Sequence, residues 1–363
     1  MRVLKIGIYS TIFCLPLYLI RFRIFDVPTT VLEIMIYALF LLWLVNKGYR
    51  NLPTILKEKL LVWGIILLVV GVGAATIFSW NLRVSAGIWK AWFIDAILFF
   101  MIFATTIEVK DIKKVLNAFI FSGFVVAVIS LIYLIQGNLN FQGRLQGIFD
   151  SPNYLAMYLA PALIIALFQK NILFVLPVAA LFFTKSYGAW LGTLVALIFG
   201  ISILLYNKGK KKIVLLLIFL AFAGIFAVGI IKIQSSEGLK SFDARFVIWE
   251  KAIESFKNNF PIGIGPGTFE DYFPLYPKWG VSQPHNLYLA FLLQTGIIGF
   301  VGFILVLIWF FMAGFKKIAI NQWSLVILCM MIYILAHGVV DTTYWKNDLS
   351  LIFWTIMGAM AVL

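Results

Sequence analysis

The chain has 363 residues, 63% of them hydrophobic and 12% charged, and its mean hydropathy is +1.02. A soluble domain carries about 25% charged residues, so this apolar excess requires lipid as solvent. The formal net charge of +14 does not point to nucleic acid, because the Lys and Arg residues sit in short clusters between apolar spans, as in cytoplasmic membrane loops.

A spanning helix needs about 20 mainly apolar residues. On that rule the sequence holds about twelve spans, near 3–20, 29–46, 60–78, 88–107, 115–136, 153–168, 172–184, 187–206, 213–232, 286–312, 323–340 and 349–363. No small-residue cleavage site follows the first run, so it is read as an anchored span. Basic clusters follow the second span (Lys47, Arg50, Lys57, Lys59), the fourth (Lys110, Lys113, Lys114), the eighth (Lys208, Lys210, Lys211, Lys212) and the tenth (Lys316, Lys317). All fall on one side together with Arg2 and Lys5, which places both termini in the cytoplasm. The expected fold is an all-α integral membrane protein: spans over 1–232, a large outward loop with an amphipathic helix over 233–285, and the last spans over 286–363.

Lys90 and Asp95 lie in the fourth span, where charge is costly unless paired. They read as a mutual pair about one turn apart. The outward connections carry GNLNFQGRLQGIFDSPN with Arg144, and the corner TKSYG with Lys185. In the large loop, Asp243 can cap a helix running to Asn258. Phe246, Trp249, Ile253 and Phe256 then form one apolar stripe, for packing on the spans or the membrane surface. Arg245 falls in the first turn, where the helix dipole disfavours a cation; it either meets lipid headgroups or binds phosphate. The run PIGIGPGTF matches neither a phosphate loop nor a dinucleotide fingerprint and reads as tight turns.

His285 opens the tenth span. Such a residue is either a polar helix-end anchor or a base able to take a proton from a hydroxyl. Arg144, Lys185 and Arg245 supply cations that can surround an anion. A lone base among cations suits transfer from a phosphorylated leaving group. The only other histidine is His337, and the carboxylates are scattered, so no metal site is expected. His337 and Asp341 read as either a supporting pair or a satisfied helix end. Cys14 and Cys329 lie in apolar spans and suggest neither a disulfide framework nor a thiolate site.

The run HNLYLAFLLQTGIIG, which is His285-Asn286, nine residues, then Gly296-x-x-Gly299, resembles the His-Asn-x9-Gly-x-x-Gly motif of the O-antigen ligase family. The upstream ARFVIWEKA with Arg245-x-x-x-Trp249, the following PIGIGPGTF, and GRLQGIFDSPNYLA with Arg144, Gly147, Pro152 and Asn153 resemble the same family, over roughly residues 140–300. The resemblance implies a GT-C type glycosyltransferase of the bacterial inner membrane, with its active site periplasmic and lipids around it. Its donor would be an undecaprenyl-diphosphate-linked glycan and its acceptor lipid A–core, in an inverting, metal-independent reaction with no cofactor. His285 would activate the acceptor hydroxyl. Arg245, with Arg144, Lys185, Asn153, Trp249 and Asn286, would bind diphosphate and substrate. An O-antigen polymerase, an oligosaccharyltransferase to another acceptor, or a transporter of the same superfamily are the alternatives. The sequence departs from the family at Thr184-Lys185-Ser186-Tyr187-Gly188, where relatives commonly carry an Arg at the position of Tyr187. Lys185 can supply the charge, without the bidentate fork.

Overall fold

The computed structural model describes residues 1–25, 27–213, 215–216, 236–272 and 281–363, without the side chains of 236–243 and 272. Apart from its first residues, the span expected at 213–232 lies outside the described residues, as do loop residues 233–235 and 273–280. The described helices are α1 (Arg2–Phe13), α2 (Val31–Val45), α3 (Leu52–Leu56), α4 (Lys59–Ile77), α5 (Leu82–Thr106), α6 (Ile112–Ile135), α7 (Pro152–Phe168), α8 (Val175–Phe183), α9 (Tyr187–Asn207), α10 (Ser236–Asn258), α11 (Leu287–Lys317), α12 (Gln322–His337) and α13 (Asn347–Val362). A short antiparallel hairpin of β1 (Arg21–Ile24) and β2 (Val27–Thr30), with Arg21 opposite Thr30, precedes α2.

Among the described residues, α4, α5, α9, α11 and α6 with its lead-in turn are long and apolar enough to cross a membrane. A sixth span is possible if α2 and Gly48–Leu56, bent by 81°, count as one. The other apolar segments expected as spans form shorter helices, including α7, α12 and α13. In α7 and α13 nearly every residue is buried by protein. A helix apolar all round can be enclosed by its neighbours as readily as by lipid, and hydropathy alone does not separate the two.

The polar contacts sort the loops onto two ends. At one, the N-terminal amine lies 3.1 Å from Asn46 Oδ1, and Lys5 pairs with Glu108 and, at 2.6 Å, with Asp111. Trp309 donates to Glu58, and Lys317 to the carbonyl of Met360. Both termini therefore share an end with the basic segments after α2, α5 and α11. The opposite end carries the connections α6–α7 and α8–α9, the start of α11 and the turn after α12. The pair expected between Lys90 and Asp95 is part of a larger cluster: Lys90 lies 2.6 Å from Glu33 and 4.0 Å from Asp95, while Asn347 donates to Glu33 and Tyr37 to Asp95.

α4 and α11 pack backbone to backbone. A Cβ on Gly71 would lie 2.1 Å from the Gly299 nitrogen, and one on Gly302 would lie 2.3 Å from that of Leu68. Small residues permit this approach within a membrane, so Gly299 serves packing. Gly296 does something different: at φ 67°, ψ −178° it breaks α11. The break frees the carbonyl of Leu293 and the N–H of Ile297. The glycine-rich segment takes up both, since Ile264 N–H donates to Leu293 O (2.9 Å) and Ile297 N–H to Pro261 O (3.0 Å).

Candidate active site

Three helix ends build the site. Ser151 caps α7, its hydroxyl accepting from the Asn153 N–H, with Pro152 at the first helical position; both choices suit a helix start. Asn153 is thereby held in the first turn. Asn286 caps α11, accepting from Leu289 N–H at 2.9 Å, and its amide NH₂ donates to the Val339 carbonyl at 2.9 Å. Leu287 N–H also bonds the Gly338 carbonyl. These contacts join the start of α11 to the turn after α12, and they employ both ends of the Asn286 amide.

The joined turns bring His285 and Asp341 together. His285 Nδ1 lies 3.2 Å from Asp341 Oδ1; the imidazole is 38% exposed, the carboxylate only 4%. His285 adopts φ 47°, a left-handed backbone unusual outside glycine. Asp341 also accepts from its neighbour Thr342 N–H at 2.9 Å and, through Oδ2, from Asn153 Nδ2 at 2.7 Å. Asn153 Oδ1 accepts in turn from Arg144 Nη2 at 2.7 Å, and Arg144 Nε donates to the Thr184 carbonyl at 2.8 Å. A continuous polar chain, Arg144–Asn153–Asp341–His285, thus crosses from the α6–α7 connection to the start of α11.

Burial alone would raise the Asp341 carboxyl. The hydrogen bond and charge of His285, the charge of His337 and the Thr342 N–H outweigh it and hold the group well below the usual carboxylate range. Asp341 is therefore an anion at neutral pH and an acceptor only. It fixes the His285 proton on Nδ1 and leaves Nε2 as the basic nitrogen.

The cations collect at the other end of this chain. Leu145 N–H bonds the Phe183 carbonyl, which with the Arg144–Thr184 contact seats the Arg144 loop on the Lys185 corner. Lys185 itself is exposed. Arg144 is disfavoured as a cation first by burial and further by the positive charge of Arg245, which Asp341 opposes. Two guanidinium groups that repel one another concentrate positive charge at this end of the chain. Trp249 packs in a small cluster with Ile248, Ala252, Ile264, Phe269 and Leu293, which docks α10 on the glycine-rich segment and α11. Its indole Nε1 is buried without a hydrogen-bond partner among the described residues.

Sequence reasoning placed Asp341 beside His337. The structure ends α12 at His337, turns the chain through 338–341, and gives His337 to Tyr333 (Nδ1 to OH, 2.9 Å) instead. The usable signal was the helix-breaking Gly338 ahead of Asp341-Thr342-Thr343, which takes that carboxylate off the helix face. Among the described residues no group of three or more His, Cys, Asp or Glu side chains is placed to hold a metal ion.

Residues 172–304 match the family model described as O-antigen ligase. A search of the curated proteins gives no match. The matched segment carries Lys185, Arg245, His285, Asn286 and the Gly296 break, and leaves Arg144, Asn153 and Asp341 to the flanking segments. On its multiple apolar helices the chain is a multi-pass membrane protein, and over residues 172–304 it is similar to the O-antigen ligase family.

Proposed function

We propose that this chain is a GT-C type O-antigen ligase that transfers glycan from undecaprenyl diphosphate to a lipid A–core sugar at the periplasmic face of the inner membrane. The observation that carries this reading is the half-exposed His285 imidazole, backed by the buried Asp341 carboxylate, at one end of a hydrogen-bonded chain whose other end is Arg144.

In the proposed reaction, His285 Nε2 takes the proton of the acceptor hydroxyl as its oxygen attacks the anomeric carbon. The bond from that carbon to the phosphate oxygen breaks, and its electron pair leaves with the diphosphate. Attack opposite the leaving group inverts the anomeric centre. Arg144 and Arg245, with Lys185 at the rim, offset the negative charge that grows on the diphosphate. The acidity of the leaving group is met by this fixed positive charge, so the step needs no further acid. The basic segments share one end with both termini, which supports the reading that the His285 end faces outward. A transporter would use a broken helix to line a cavity; here backbone from the glycine-rich segment fills the break at Gly296.

The test is transfer by purified protein from undecaprenyl-diphosphate glycan to lipid A–core, for wild type and His285→Ala. Loss of at least about 10²-fold in the folded variant is expected of a missing base, and an unchanged rate rejects the mechanism. Elongation of the lipid-linked glycan in place of lipid A–core modification makes the protein a polymerase.

A further inference from the structure

We infer that Asn153 is a positioning residue for the base, not a ligand of the donor: it orients the Asp341 carboxylate and so ties the diphosphate-binding Arg144 to His285. The inference rests on the reading of His285 as the base. Its physical ground is directionality. Arg144 can only donate, and an ionised Asp341 can only accept. The residue between them must accept on one side and donate on the other. A carboxamide does both from one rigid plane, and the two contacts, each 2.7 Å, use Oδ1 toward Arg144 and Nδ2 toward Asp341. Neither atom is left pointing at substrate as its main contact.

The other Asp341 oxygen is held by the Thr342 N–H at 2.9 Å as well as by His285. The carboxylate is thus fixed on both oxygens, and its plane sets that of the imidazole, because the bond to Nδ1 is the contact that holds the ring in one tautomer. Ser151 contributes indirectly by capping the turn that carries Asn153. Movement of Arg144 on binding diphosphate is transmitted along this chain to the base. Remote groups that orient a reacting group in this manner change the rate and leave ground-state binding nearly unaltered.

Two measurements test this. The chain contains two histidines, so protein labelled with ¹⁵N-histidine shows two imidazoles, and His285→Gln assigns them. Wild-type His285 is expected as the Nδ1–H tautomer, with N153A giving a tautomer mixture; an unchanged spectrum in N153A overturns the inference. Should N153A fail to fold, N153D keeps the volume and the acceptor for Arg144 but sets an oxygen against Asp341, and the same mixture is expected. In N153D/D341N every contact again joins a donor to an acceptor, with the 153–341 bond reversed, so the Nδ1–H tautomer returns; its failure to return also counts against the inference.

The second measurement separates kcat from donor affinity. N153A should lower kcat about 10–100-fold, as loss of an orienting partner does elsewhere, and change donor Kd by less than about threefold. Combined with Asp341→Ala it should slow the enzyme no further than Asp341→Ala alone. A matching loss of donor affinity, or fully multiplicative losses, would make Asn153 a donor ligand. The tautomer result does not depend on turnover. If the tautomer shifts as expected while wild type transfers no glycan, the functional reading fails and the positioning role stands.

Discussion

Asp341 Oδ1 lies 3.2 Å from His285 Nδ1 across 56 residues of sequence, and the carboxylate is nearly inaccessible while the imidazole faces solvent. A buried anion behind an open imidazole holds Nδ1–H as a donor and leaves Nε2 as the nitrogen that substrate can reach. Asp341→Asn should therefore slow transfer by about 10²-fold or more at fixed donor saturation. Single-turnover transfer in detergent checks this.

Asp341 also gives a pH dependence of stability. Its carboxyl is held below its usual range in the folded protein, so it contributes stability that is present above the unfolded value of about 4 and is lost as pH falls toward the lower folded one. The gap in thermal stability between wild type and Asp341→Asn is expected to narrow as pH falls from neutral to pH 3. Parallel curves would show that the pair carries no linkage.

The cations should separate by burial. Arg144→Ala and Arg245→Ala each remove a charge-assisted contact to the proposed diphosphate, worth about 1.5–3 kcal/mol, and should weaken donor binding about 10–150-fold. Exposed Lys185 is expected to contribute less than about 1 kcal/mol. Titration of undecaprenyl diphosphate at two salt concentrations tests the ranking, with the Lys185→Ala effect the more easily screened.

Asn286→Ala should behave as a lost helix cap. The amide is engaged by Leu289 N–H and Val339 O, so the variant is expected to lose about 1 kcal/mol of stability while donor affinity holds. Denaturation and donor binding measured on the same sample decide between a cap and a substrate contact.

Gly296→Ala places a Cβ 2.3 Å from the Ile262 carbonyl and forces an alanine into a backbone region that only glycine readily occupies. Strain of about 1–3 kcal/mol, with the clash added to it, should lower the melting temperature and abolish transfer. Gly71→Ala tests a different contact, the crossing of α4 with α11, where a Cβ would lie 2.1 Å from the Gly299 nitrogen, and should destabilise without moving His285.

Helical architecture was legible because composition and apolar runs report the solvent of each segment, and the basic clusters reported which loops share an end. That protein encloses α7 and α13 was not, since a helix enclosed by protein has the same hydropathy as one enclosed by lipid. In the site, His285, Arg144 and Lys185 stood out as polar residues at span ends. Asp341 was misread because a four-residue spacing from His337 implies a shared face only if the helix continues, and it stops at Gly338. The cluster that pairs Lys90 with Glu33 was hidden for another reason: its partners are 57 residues apart, and only the packing of α2 on α5 brings them together.

The paired backbone at the α11 break restricts how this chain can be recombined. Pro261 and Ile264 supply the missing rungs for Ile297 and Leu293, respectively, so residues 259–267 and 287–299 form one inherited unit despite lying on either side of a long loop. A chimera that exchanges one stretch without the other leaves an amide and a carbonyl unmatched in an apolar interior, at a cost of about 1–3 kcal/mol for each. Exchanges of loop sequence between relatives should carry both stretches together.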